Sequence, residues 1–298
     1  MAYATRMLLR SLRRTWPDHP PVTILHRGLT AAQFAALTSE PHTRLLPLEV
    51  PPDLMGPVML HVPPAKADLF YGRFAIWGEA FADYDRVLYL DVDILVRGDL
   101  AEILEEDFFM ATNVGAQELF LDGGDPQLVR MLEEDGLADA ASDVGNAGVL
   151  VVARKWRAAG QLDSIKSILH RYRDHLRFGD QTVLNLWMAT NDLRPADSDR
   201  FNCQILQRLG EPGGRSRLHD AGVLHFSGFL PSHRRAAMTL AYALLSIPGA
   251  GMDLFWASMR ALYRGARPRA PLRAALRLYG RGKRLTTRGA GAARTSAP

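Results

Sequence analysis

The chain has 298 residues, 47% hydrophobic and 23% charged, an ordinary globular composition with enough apolar residues to bury a sizeable core. Its single cysteine, Cys203, excludes an internal disulfide or a multi-cysteine zinc site and reads as a small buried residue in a reducing compartment. The net charge of +4 hides an asymmetry, because eleven Lys and Arg follow from Arg260 onward without one acid, leaving 25 basic against 32 acidic residues before them.

Residues 2–14 place Met7, Leu8 and Leu12 on one helical face among arginines, with no signal-peptide core. A turn at Trp16-Pro17 leads to a strand at 22–25, and Thr30 with Gln33 makes a capping box for a helix to about Leu37. Short strands are expected at 45–50 and 58–62, then a helix over 67–81 carrying Tyr71, Arg73 and Trp77. Residues 87–96 read as one buried strand, and Asp99 with Glu102 reads as a second capping box. A strand at 108–112, a helix at 126–134 within an acid- and glycine-rich stretch, and a strand at 146–152 follow. A long helix over 154–176, a helix opening at Gly179-Asp180-Gln181 and a last strand at 223–226 complete the pattern. Such alternation predicts an α/β fold with a mostly parallel central sheet flanked by helices. The longest apolar stretch, 236–247, is broken by Pro248-Gly249, short of the roughly 20 residues a membrane-spanning helix needs. A cytoplasmic protein is expected.

Asp91 and Asp93 interrupt the central strand. Two residues apart, they face the same side, and two ionised carboxylates left unpaired in a core would be very costly, so a cation is expected between them. They stand at the carboxyl end of a buried strand, where open α/β sheets bind ligands, and a few carboxylates plus substrate phosphate oxygens suit Mg2+ or Mn2+. Two solvated acids at a loop mouth are the bland alternative. Small residues at Asn146-Ala147-Gly148 would let a ligand approach the backbone closely, and the polar start of the Asp180 helix suits an anion or a sugar. A glycine bend and a simple N-cap explain the same residues without a ligand. His225, alone on a strand end, has many structural uses besides metal binding.

Taken in order, Tyr71-Gly72-Arg73, Leu88-Tyr89-Leu90-Asp91-Val92-Asp93, Asn146-Ala147-Gly148-Val149, Gly179-Asp180-Gln181 with Asn185, and His225-Phe226-Ser227-Gly228 resemble the family 8 retaining glycosyltransferases, of glycogenin and lipopolysaccharide galactosyltransferase type. The resemblance implies a GT-A (Rossmann-like) fold over 1–232, and beyond it the sequence itself reads as a helical, basic region over 233–298 with a disordered end. It implies transfer of a hexose from a UDP-sugar to a glycan or glycolipid acceptor, with Mn2+, or Mg2+ as the second choice, held by Asp91, Asp93 and His225. It places the Val92 backbone near the ribose, Arg73 and Asp180 on sugar hydroxyls, Asn146 and Ala147 in the sugar pocket, and Gln181 near the anomeric carbon. Gly148, Asn185 and Gly228 complete its substrate-binding set. Retention admits either a double displacement through Asp180 or a front-face path assisted by Gln181.

Two departures accompany the resemblance. The family's lysine after the His-x-x-Gly turn is missing, with His233, Arg234 or Arg235 as candidate replacements, and the strand expected before the first helix is missing, which predicts a true start upstream. A haloacid-dehalogenase-type phosphotransferase also carries Asp-x-Asp but wants Thr or Val where Leu95 stands. A degenerate family member that binds a nucleotide sugar without turnover is the non-enzymatic rival. The basic tail suits the inner face of an anionic plasma membrane and lacks the aromatic platforms of a nucleic-acid binder, so no nucleic-acid partner is expected.

Overall fold

The computed structural model of the chain describes residues 2–56, 67–112, 126–137, 144–176, 179–229, 231–244 and 251–265. The expected strand at 58–62, parts of the acid-rich stretch, Phe178 and the tail beyond Gly265 lie outside the described residues.

The chain opens with α1 (Ala2–Thr15), followed by β1 (Val22–His26) and β2 (Thr43–Pro47), which pair in parallel across the helix Ala31–Thr38. The Thr30/Gln33 capping box forms as expected, with Thr30 Oγ1 accepting from the Gln33 N–H at 3.2 Å and Gln33 Oε1 from the Thr30 N–H at 3.0 Å. Farther on come β3 (Arg86–Leu90), β4 (Ile94–Val96), β5 (Phe108–Thr112), β6 (Gly145–Ala153), β7 (Cys203–Gln204) and β8 (Val223–His225). In one sheet β6 lies between β3 and β5, antiparallel to both; in another β8 lies between an antiparallel β4 and a parallel β7. The α/β reading holds, but the sheets are mixed: among the described strands two ladders are parallel and three antiparallel. Alternation along the chain shows which elements occur, whereas the end from which β6 enters between its neighbours is a long-range choice.

The expected single strand over 87–96 is two strands in different sheets, with Asp91-Val92-Asp93 as the turn between them. Both flanks are tied down, since the Asp91 N–H donates to Gly148 O at 2.8 Å and the Phe226 N–H to Asp93 O at 2.9 Å. Inside a ladder the carboxylates would be dry and unpaired; at a break they can face a site.

Three helices also differ from expectation. The 67–81 segment is α-helical only over Ala67–Tyr71 and tightens into 3-10 turns over Gly72–Trp77 and Glu79–Phe81, which leaves Arg73 buried beside Phe74 and Trp77. The 154–176 segment breaks at Gly160, whose φ of +90° favours glycine, so the α-helix proper is Gln161–Arg171. At Asp99 no capping box forms: Asp99 Oδ1 accepts from the Ala101 N–H at 2.8 Å, but Glu102 is drawn away to Arg200 at 2.6 Å.

Trp187, fully buried on the helix Asp180–Thr190, joins the elements that carry the site. It makes edge contacts with Trp77 (5.5 Å, 81°) and Trp156 (6.1 Å, 86°), each worth about 0.5–1.5 kcal/mol beyond area burial, and its Nε1 donates to Gln161 Oε1 at 2.9 Å. On the other side Met7, Leu95, Leu224, Phe226, Met238 and Phe255 form one cluster, so the helices Pro231–Leu244 and Gly251–Gly265 pack against α1, β4 and β8. Cys203 is buried there, and burial pushes its thiol up to about 12. No helix among the described residues is long and apolar enough to cross a membrane.

Candidate active site

The turn between β3 and β4 meets the end of β8, the start of β6 and the first turn of the Asp180–Thr190 helix. Among the described residues, Asp91, Asp93 and His225 are the group that could hold a metal ion, with one ligand atom from each lying within 4.8 Å of the others. His225 Nε2 is 3.4 Å from Asp93 Oδ1 and 3.8 Å from Asp91 Oδ2. The cationic neighbours that the paired acids require are present. Arg234, in the first turn of Pro231–Leu244, brings Nη1 to 3.1 Å from Asp93 Oδ2, and Arg73 brings Nη2 to 3.7 Å from Asp91 Oδ1. Burial works against ionisation of Asp93, but His225 and Arg234 outweigh it and hold the carboxyl below the usual range.

Arg73 joins the Asp91–Asp93–His225 group to the helix start. It forms a close ion pair through Nε with Asp180, without hydrogen-bond alignment, and its Nη1 donates to Ala147 O at 2.5 Å. Its guanidinium also lies 5.2 Å from the centre of the Tyr89 ring. Gly179, at φ +54°, turns the chain into the helix and leaves Asp180 as its first residue, so the carboxylate faces Arg73 and does not serve as an N-cap. Burial lifts Asp180 to about 6 in spite of Arg73. Next to it, Gln181 Oε1 accepts from Asn146 Nδ2 at 3.2 Å and from the Ala147 N–H at 3.4 Å.

The residues expected from sequence lie around this turn, and two of them are engaged within the protein. Asn185 spends its amide on the backbone, accepting from the Gly145 N–H at 2.6 Å and donating to Gly145 O at 3.0 Å and Gln181 O at 2.7 Å. It clamps β6 to the helix. Gly148 makes room for a side chain: a Cβ there would lie 2.3 Å from His225 Cε1. Val92 is half-buried in the turn between Asp91 and Asp93, and Gly228, at φ +76°, turns the chain just after β8.

Two neighbours escaped the sequence reading. The Tyr89 hydroxyl donates to Asp91 Oδ1 at 2.8 Å, and burial together with the Asp91 charge holds its phenol well above the ordinary range. The i, i+2 spacing to Asp91 was the available signal. Asn202, just before β7, contacts His225 Nδ1 through Oδ1 at 2.8 Å, and nothing in the local sequence pointed to it.

The model of the family described as Glycosyl transferase family 8 matches residues 59–231, more than half of the chain. The chain belongs to glycosyl transferase family 8. Two curated relatives, from Streptococcus pneumoniae serotype 4 (strain TIGR4), are similar to part of it. Glycosyltransferase GlyE is 30% identical over 131 residues, 42% of this chain, and Glycosyltransferase GlyF is 28% identical over 120 residues, 40% of this chain. The matched stretch spans 26% of the length of each. Among solved structures, the galactosyltransferase LgtC, crystallised with donor and acceptor sugar analogues, superposes with a TM-score of 0.58 at 21% identity, covering 80% of this chain and 91% of that one. The bifunctional glycosyltransferase WbbM superposes with a TM-score of 0.58 at 13% identity, covering 85% of this chain and 49% of that one. These likenesses show the fold, so this family 8 chain has the α/β GT-A architecture of a glycosyltransferase.

Proposed function

We propose that the protein transfers a hexose from a UDP-sugar to a glycan or glycolipid acceptor with retention of configuration, using Mn2+ or, second, Mg2+. The observation that carries this reading is the convergence of Asp91, Asp93 and His225 within 4.8 Å, opening beside the Arg73–Asp180–Gln181 group. Two carboxylates and an imidazole fit a divalent ion whose remaining positions go to phosphate oxygens and water. Such an ion, when bound, offsets the negative charge that grows on a departing diphosphate. The crystallisation of LgtC with donor and acceptor sugar analogues supports a two-sugar reaction on this fold.

The chain's own residues divide the work. Arg234, paired with Asp93 and with its Nε buried without a hydrogen-bond partner among the described residues, supplies the cation in place of the family's lysine. Arg73 and Asp180 hold each other in register and present polar edges to sugar hydroxyls. A carboxylate 2% exposed and locked to an arginine is a weakened nucleophile, so the geometry favours the front-face path, with the Gln181 amide held beside the sugar by Asn146 and Ala147. The acceptor is proposed to be lipid-linked at an anionic membrane, because the basic residues after Arg260 have no acids among them. Vesicle sedimentation of the full chain against a version ending at Gly265 tests that part, and equal binding by both removes it.

The deciding experiment incubates the protein with a panel of UDP-hexoses, Mn2+ and candidate acceptors, and reads UDP release and the anomeric coupling of the product. An α-glycoside from an α-linked donor is expected. Absence of turnover with every donor, or a β product, overturns the reading; binding of UDP without turnover would instead support the non-catalytic nucleotide-sugar-binding alternative.

A further inference from the structure

We infer that Asn202 is a positioning residue that sets the tautomer of His225 and couples the metal group to Gln181; this rests on the proposed metal-dependent reaction. One donor in this network is unambiguous. The backbone N–H of Gly148 donates to Asn146 Oδ1 at 3.0 Å, which fixes that atom as the acceptor and the other end of the Asn146 amide as NH2. Asn202 Nδ2 then donates to the same Asn146 Oδ1 at 2.8 Å, so Asn202 Oδ1 is the end that meets His225 Nδ1 at 2.8 Å. An amide oxygen can only accept, so Nδ1 carries a proton; when the imidazole is neutral, the Nε2 lone pair is therefore the one that points at the Asp91 and Asp93 carboxylates. That is the tautomer a metal ligand needs. In the other direction Asn146 Nδ2 donates to Gln181 Oε1 at 3.2 Å, so the same chain of amides orients the glutamine.

The setting makes these orientations firm. Asn202 is 3% exposed, Asn146 8% and His225 2%, so water is poorly placed to replace a lost bond. A second contact, from Asn202 Nδ2 to Asn146 O at 3.3 Å, holds the amide against the start of β6. Residues that orient a metal-bound imidazole through its other nitrogen typically change metal affinity by about 10–100-fold when removed.

Two variants separate the halves of this device. Asn202→Ala removes both bonds; Asn202→Asp keeps an acceptor for Nδ1 and loses the donor to Asn146. Mn2+ alone, titrated by electron paramagnetic resonance on the full chain, is expected to bind Asn202→Ala about 10–100-fold more weakly than wild type and Asn202→Asp at least as tightly as wild type. With Mn2+ saturating, Asn202→Asp is expected to lower kcat for UDP-sugar turnover while leaving UDP affinity unchanged, because Asn146 loses one of the donors that fix its amide beside Gln181 while no contact at the diphosphate changes. Melting temperature without metal identifies any variant that fails to fold, and the Asn202→Asp arm decides the matter if Asn202→Ala does. Wild-type Mn2+ affinity in folded Asn202→Ala, or equal loss of Mn2+ affinity in both variants, overturns the inference. If wild type binds Mn2+ but turns over no UDP-sugar, the proposed reaction fails while the Mn2+ titrations still decide the tautomer role; if wild type binds no Mn2+, both fail.

Discussion

Gly148→Ala tests how tightly the metal group is built. The new Cβ would stand 2.3 Å from His225 Cε1, 2.8 Å from Nδ1 and 3.0 Å from Asn146 Oδ1. Unbonded carbons prefer about 3.5–4.0 Å, so the ring must retreat by roughly 1 Å or β6 must separate from β8 by as much. The imidazole is 2% exposed and held by Asn202, so there is little room to absorb the shift. Overpacking of this kind costs about 1–3 kcal/mol, which for a chain of this size lowers the melting temperature by several degrees. Displacing one ligand while two carboxylates stay in place should also weaken Mn2+ by at least about 10-fold, read by titration without nucleotide. Gly136→Ala is the control: φ there is +71° and nothing lies within 4 Å of the new Cβ, so it strains the backbone and should leave Mn2+ binding unchanged. Wild-type Mn2+ affinity in Gly148→Ala would refute the proposed closeness of β6 and His225, and with it the geometry of the metal group.

Asp91→Asn and Asp93→Asn are each expected to abolish Mn2+-dependent UDP-sugar turnover, since one charged ligand is lost and the diphosphate charge goes unbalanced; a wild-type rate in either would count against the metal assignment. Arg234→Ala should raise the Kd for UDP about 10-fold or more, as hydrogen bonds to charged groups contribute about 1.5–3 kcal/mol, while Mn2+ alone binds no worse because Asp93 loses a competitor; unchanged UDP affinity would exclude Arg234 as the substitute for the lysine. For Asp180, burial lifts the folded pKa to about 6, so the folded protein holds this proton more tightly than the unfolded chain. Its contribution to stability is therefore full below the ordinary carboxylate range and is lost as pH rises through about 6. Because the ionised form pairs with Arg73, kcat/KM should fall below pH of about 6, and the Asp180→Asn variant should lack that acidic limb; a limb that persists there belongs to another group.

What the sequence determined by itself was whatever depends on spacing over a few residues. Asp91 and Asp93 carry their own signal, since two acids inside an apolar run need a cation wherever the chain goes. The Thr30/Gln33 capping box and the helix opened by Gly179-Asp180 are equally local, and they form where expected. Tertiary structure decided the rest, because those choices depend on partners far along the chain. Whether residues 87–96 make one strand or two depends on β6 and β8, which capture its halves in different sheets and turn the acids between them into a site. Asn185 takes its amide partners from Gly145, 40 residues away, which no local pattern could show. Asn202 gains its meaning only from His225 and Asn146, at separations of 23 and 56 residues. Arg234 became the leading cation of three candidates only when its helix packed on α1 and β8 and brought it to Asp93. Periodicity and capping act through hydrogen bonds a turn or less apart, whereas a buried amide or guanidinium takes its role from the one partner that desolvation forces it to find.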